Sequence, residues 1–129
     1  MTGIAVVGAA ETTELGKIPH LSQHQLHADA ALNAMADAGI TAKDIDGIAT
    51  AGDRPTDLAY YLGITPTWVD GTSVGGCSFM LHVRHAVAAI ASGQCTTVLI
   101  THGESGRSGV GRGGFPRAPA SLAGQFEVP

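Results

Sequence analysis

The chain has 129 residues, a formal net charge of −4 and only two lysines, Lys17 and Lys43. That profile excludes the basic stripe of a nucleic-acid binder, and no apolar run approaches the roughly 20 residues of a membrane-spanning helix. A hydrophobic share of 44% against 14% charged residues excludes a disordered chain and calls for one buried core. Aromatic residues are only 5% of the chain, and the apolar share is built from Ala, Val, Ile and Gly. Small residues in that proportion suit close helix-on-sheet packing or a large subunit interface. Residues 1–10 lack the positive start of a signal peptide, so the expected location is cytoplasmic. Cys77 and Cys95 are therefore expected to be reduced and buried.

Gly3-Ile4-Ala5-Val6-Val7-Gly8 is an apolar run ending in glycine, the pattern of a buried parallel strand. Residues 9–20 show no period and predict a loop. Ser22 followed by Gln25 has capping-box spacing. Behind it Ala28, Ala31, Leu32, Met35 and Ala38 recur at helical intervals, and Gly39 stands at the stop position. Thr41 to Asp44 predicts one capped turn. Ile45, Ile48 and Ala49 predict a second strand, ending near Gly52. Thr56 is positioned to cap a short helix through Leu58, Tyr60, Tyr61 and Leu62, closed by Gly63. A third strand, Thr67 to Asp70, runs into a turn of glycine and small hydroxyl residues. A long helix is expected from about Gly75, apolar on nearly all sides and therefore buried on all sides. Thr97-Val98-Leu99-Ile100-Thr101 predicts a fourth strand.

Strands alternating with helices at this spacing predict an α/β fold with a mostly parallel sheet and helices on both faces. Ligands in such sheets bind beyond the carboxyl ends of the strands. Here those ends are Gly8-Ala9, Thr50-Ala51, residues 71–73 and residues 102–104. The expected α/β domain covers residues 1–103, and residues 104–129 begin a glycine-rich region without hydrophobic period. Four strands and an unfinished excursion do not close a core, so the chain is expected to be incomplete and unstable alone.

Several stretches carry a resemblance: Ile4-Ala5-Val6-Val7-Gly8, Asp46-Gly47-Ile48 and Val69-Asp70-Gly71-Thr72-Ser73-Val74-Gly75-Gly76. Ala86 to Gly93 within the long helix, Val98 to Glu104, and Gly124-Gln125-Phe126-Glu127-Val128-Pro129 complete the set. In order and spacing they resemble the N-terminal third of the thiolase superfamily, on the branch of sterol-carrier-type thiolases and thiolase-like lipid-transfer aldolases. The resemblance implies an acyl-CoA substrate, with coenzyme A as part of that substrate and no further cofactor. It also implies a homodimer through the strand around Trp68 to Asp70, and it admits a further partner protein.

In thiolases a cysteine nucleophile lies at the strand-to-helix turn, with a pair of small residues three and four positions later. Carried onto this chain, that pair falls on Gly76 and Cys77 and the nucleophile position on Ser73. The visible cysteine is one helical turn late, and Cys77 stands as the shifted alternative. A cysteine with an ordinary pKa of ~8.5 is activated at a helix N-terminus, whereas a serine needs an adjacent base. The expectation is an enzyme that cleaves a carbon–carbon bond by retro-aldol chemistry. The alternatives are a non-catalytic, lipid-transfer-like binding or partner subunit, and third a thiolase proper. Ser73 can equally serve as a helix N-cap. Expected substrate-binding residues are Ser73, Gly75, Gly76 and His102 at the carboxyl edge, with Arg107 and Arg112 on the glycine-rich loop for the CoA phosphates. Arg117 shares that loop. The pairs His82/His85 and His24/His27 have helical i, i+3 spacing, but no Cys, Asp or Glu completes a metal set; the first pair is expected on a helix surface or interface, the second in solvent.

Overall fold

The structure, a computed structural model, describes residues 3–110. Helix α1 (Gln23–Ala38) starts as its capping box dictates. The Ser22 hydroxyl accepts from the Gln25 N–H at 3.2 Å, and the Gln25 side chain accepts from the Ser22 N–H at 2.9 Å. It ends at Gly39, whose φ of +68° lets the cap N–H turn back to the carbonyls of Met35 and Ala36. A single 3₁₀ turn, Ala42–Asp44, leads into β1 (Gly47–Ala51). Helix α2 (Pro55–Leu62) follows, then β2 (Trp68–Asp70), α3 (Ser78–Ala91) and β3 (Val98–His102).

The three strands form a parallel sheet in the order β2-β1-β3, with Ile48 in register with Val69 on one side and Leu99 on the other. All five residues of the central strand are buried, which explains why it shows no polar alternation. Helices α1 and α2 cover the side bearing Ile48 and Leu99, and the core there joins Ala28, Ala31, Met35, Ile45, Leu58 and Ile64. Helix α3 packs on the sheet through Ser78, His82, Ala86 and Ala89, a stripe of small side chains around one imidazole. Asp46 ties the starts of β1 and β3 together: its carboxylate accepts the N–H groups of Thr96 and Thr97 and the Thr96 hydroxyl. Burial opposes ionisation of Asp46, but those donors outweigh it and hold its carboxyl below the usual range.

Four expectations change. Residues 3–8 do not join the sheet. They run along α1, where the Ala9 N–H donates to Asp37 at 3.0 Å. Gly8 lies so close to α1 that a Cβ would stand 2.6 Å from the Ala34 carbonyl oxygen. A strand needs a neighbouring edge, and an open groove of about 750 Å³ separates this segment from β3. Ile4, Val7, Met35, Val87, Ile90 and Leu99 are among the residues lining it. Second, α3 is not buried all round within the described residues, because Phe79, Met80, Val83 and Val87 are exposed. Third, α2 is started by Pro55 at its first position with Arg54 as N-cap, so Thr56 lies inside the helix rather than capping it. Fourth, α3 begins at Ser78 rather than Gly75, whose φ of +92° places it in the turn.

Candidate functional site at the turn between β2 and α3

Asp70, the last residue of β2, organises the turn that follows. Its Oδ1 accepts the Thr72 N–H at 2.8 Å and the Thr72 hydroxyl at 2.7 Å. Its Oδ2 pairs with His85 Nδ1 of α3 at 2.5 Å. Burial works against ionisation here too, but the Thr72 hydroxyl and N–H, His85 and nearby His82 bring the Asp70 carboxyl down to about 2. One turn back along α3, His82 Nε2 donates to the Thr72 carbonyl at 2.8 Å. Further on, the Ser78 hydroxyl donates to the Gly75 carbonyl at 2.6 Å and accepts the Val74 N–H at 3.0 Å.

Ser73, Gly75, Gly76 and Cys77 are all exposed on this turn. Ser73 is not the N-cap of α3; Cys77 holds that place, with no side-chain capping bond. Cys77 is therefore neither inside the helix nor buried, and only Cys95 keeps the expected burial. Burial, with Asp46 nearby, pushes the Cys95 thiol up. Among the described residues Ser73 makes no hydrogen bond to a base, so nothing there activates its hydroxyl.

His102, at the carboxyl end of β3, is brought to the same edge. Its ring centroid lies 5.6 Å from that of Phe79 in the first turn of α3. Arg107 is exposed and borders a recess that adjoins the groove beside β3, sharing Gly16, Ile18 and Leu26 with it. Arg112 and Arg117 lie outside the described residues.

A second polar cluster went unread in the sequence. His27 is buried, with Nδ1 accepting from the Thr101 hydroxyl at 2.7 Å and Nε2 donating to the Gly103 carbonyl at 3.0 Å. Burial lowers its pKa, against an opposing pull from the Gly103 carbonyl and Asp53. His24 Nδ1 meets Asp53 Oδ2 at 2.5 Å and its ring meets Tyr61 edge-on at 4.9 Å. Gln23 joins the carboxyl ends of β1 and β3, donating to the Gly52 carbonyl and accepting the Ser105 N–H at 3.2 Å. His27 was expected in solvent, yet it lies in line with Ala31 and Met35 on the buried stripe, four and eight residues on. That alignment was the available signal. His82 likewise stands four residues before the buried Ala86, and it is fully buried rather than at a surface. Among the described residues no group of three His, Cys, Asp or Glu side chains is placed to hold a metal. Nor is any described helix long and apolar enough to cross a membrane.

No protein-family model matches the chain. The 17-hydroxy-3-oxo-4-pregnene-20-carboxyl-CoA lyase of Mycobacterium tuberculosis is 32% identical over 114 residues, which are 85% of this chain and 30% of that protein. Among solved structures, an Ltp2-ChsH2 (DUF35) aldolase superposes with a TM-score of 0.77 at 27% identity, over 95% of this chain and 31% of that one. A monomeric SCP2-thiolase-like protein of type 1 from Mycobacterium smegmatis gives 0.63 at 28% identity, over 76% of this chain and 22% of that one. The chain thus spans about a third or less of the length of these relatives. Its three-stranded parallel sheet flanked by helices is a thiolase-like fragment, and its likeness lies with the thiolase-like lipid-transfer branch.

Proposed function

We propose that this thiolase-like chain is the N-terminal part of a lyase that cleaves a β-hydroxyacyl-CoA by retro-aldol chemistry. The observation that carries the reading is the turn between β2 and α3. It exposes Ser73, the residue that the resemblance puts at the place of the thiolase cysteine, and among the described residues no base is hydrogen-bonded to it; the exposed thiol, Cys77, is at the N-cap of α3. Acyl transfer through a covalent thioester needs a thiolate at the turn; carbon–carbon cleavage does not.

In a retro-aldol step a base takes the β-hydroxyl proton, the Cα–Cβ bond breaks, and a ketone or aldehyde leaves. The electron pair passes to the thioester oxygen as an enolate, which is then protonated at Cα. The positive end of α3 and its first N–H groups suit that oxyanion. Ser73, Gly75, Gly76 and His102 line the acyl end of the site, and Arg107 and Arg112 serve the CoA phosphates. The chemistry of a CoA lyase from M. tuberculosis at 32% identity supports this reading. The proton-transfer groups of this step are expected from the part of the relatives' length that this chain does not span.

A binding subunit without catalysis is the second reading, favoured by a Ser73 hydroxyl that has no base bonded to it among the described residues. A thiolase proper ranks third, because Cys77 lies a turn beyond the nucleophile position. Pairing of two copies through β2 fits an edge strand whose Val69 is 42% exposed. An aldolase relative described as an Ltp2-ChsH2 pair supports a second, different subunit. Incubating the full-length protein with β-hydroxyacyl-CoA thioesters and detecting ketone or aldehyde tests the lyase. Thioester binding without release would leave the binding subunit in its place.

A further inference from the structure

Of the imidazoles on α3, His82 reaches the turn that carries Ser73 directly and His85 reaches it through Asp70, and neither contact is needed to build the helix. We propose that His82 and His85 are positioning residues, holding the Ser73 turn in the geometry that receives the acyl thioester. The proposal rests on the lyase reading for its chemistry but on the hydrogen bonds alone for its geometry.

His82 acts on one peptide unit. Because a carbonyl only accepts, the 2.8 Å bond to the Thr72 oxygen makes Nε2 the protonated nitrogen of His82. The Thr72 carbonyl and the Ser73 N–H belong to the same planar unit, so fixing one fixes the direction of the other. The ring itself cannot drift, since His82 is fully buried. Its Nδ1 is buried with no hydrogen-bond partner among the described residues. A polar atom left without a partner in a packed interior is costly, and an apolar side chain of the same shape would avoid it. The imidazole is kept there for its Nε2 donor.

His85 acts through Asp70. One carboxylate oxygen takes His85 at 2.5 Å, and the other takes both donors of Thr72. Asp70 is thereby held between helix and turn, its side chain 11% exposed. His85 at 39% exposure is the outer member and His82 the inner one. Together they grip Thr72 from both ends of its backbone, at N–H and at C=O, directly before Ser73. Spacing of i and i+3 puts both rings on the same helix face, which serves this grip rather than a metal.

The test is made in the full-length protein with paired substitutions. His82→Phe keeps a ring but loses the donor, while His82→Gln carries an N–H near the Nε2 position. His85→Ala removes the contact with Asp70, while His85→Asn carries an N–H near the Nδ1 position. Amide hydrogen exchange should rise at least ten-fold in residues 70–76 for His82→Phe and His85→Ala, with residues 47–51 unchanged. Turnover should fall by about 10–100-fold with KM changed far less, as expected for a misplaced acyl group. The Gln and Asn variants should recover most of both. Exchange that rises equally across residues 47–51 and 98–102, or turn exchange that does not change, overturns the proposal. Should His82→Phe not fold, the half-exposed His85 pair decides alone. Absence of lyase activity in the unsubstituted protein would sink the lyase reading, and hydrogen exchange would still decide the clamp.

Discussion

Gly52 closes the carboxyl ends of β1 and β3 against each other, and replacing it by alanine should be among the costliest single-methyl changes in the chain. It follows β1 directly, with a φ of +96° that side chains rarely adopt. An added Cβ would overlap the Gly103 carbonyl oxygen and stand 3.1 Å from the Gly103 carbonyl carbon. Both atoms are backbone, so no side-chain rotation relieves the overlap. The backbone conformation alone costs about 1–3 kcal/mol. Moving residue 103 aside also breaks the Gly103 N–H bond to the Ala51 carbonyl at 3.2 Å. At about 1 kcal/mol for that bond, the expected loss is about 2–4 kcal/mol. Gly63→Ala is the matched control: its φ is +74°, but nothing lies within 4 Å of the added Cβ. It should cost only about 1–2 kcal/mol. Urea denaturation of the full-length variants measures both. If Gly52→Ala loses no more stability than Gly63→Ala, the close approach of the two strand ends is wrong.

Three further outcomes follow from the titratable groups. His27 has a folded-state pKa below its ordinary 6.5, so the unfolded chain binds the proton more strongly. Its contribution is present above about pH 6.5 and is lost as pH falls through and below that value; His27→Gln should flatten this part of a stability–pH curve. Asp70 acts in the same direction at lower pH: with a folded value of about 2 against 3.8, it stabilises above pH 3.8, and that contribution is lost as pH falls toward 2. Thr72→Val, which deletes one donor to Asp70, should move the acid-unfolding midpoint upward by titration with circular dichroism. Iodoacetamide followed by peptide mass analysis should label exposed Cys77 well before Cys95, whose thiol is buried and raised; equal labelling would contradict the burial.

Local signals made α1, the central strand and the turn after β2 legible in the sequence. A capping box, a glycine stop and a run of buried β-prone residues act over a few neighbours, and the chain obeys them. Residues 3–8 defeated the same reasoning because a strand is completed by its neighbour's edge, which a sequence pattern does not contain. The start of α3 was placed three residues early because Gly75 and Gly76 read as helix when they belong to the turn. Its outer face, Phe79, Met80, Val83 and Val87, looked like core because composition records apolarity and not what covers it. At the site, counting from the small-residue pair singled out Ser73, and the chain folds to expose it. The histidines were harder. His27 and His82 lie on buried stripes and make their bonds to Thr101, Gly103 and Thr72, partners up to 76 residues away. Nothing local announces such a partner.

The retro-aldol reading is tested most directly by comparing two reactions of the full-length protein. A β-hydroxyacyl-CoA without added CoA should yield a ketone or aldehyde together with the shortened acyl-CoA, because retro-aldol cleavage needs no thiol acceptor. A β-ketoacyl-CoA with CoA should yield no thiolysis product, because no cysteine stands at the Ser73 position. Thiolysis with CoA, and no release from the β-hydroxyacyl-CoA, would contradict the account.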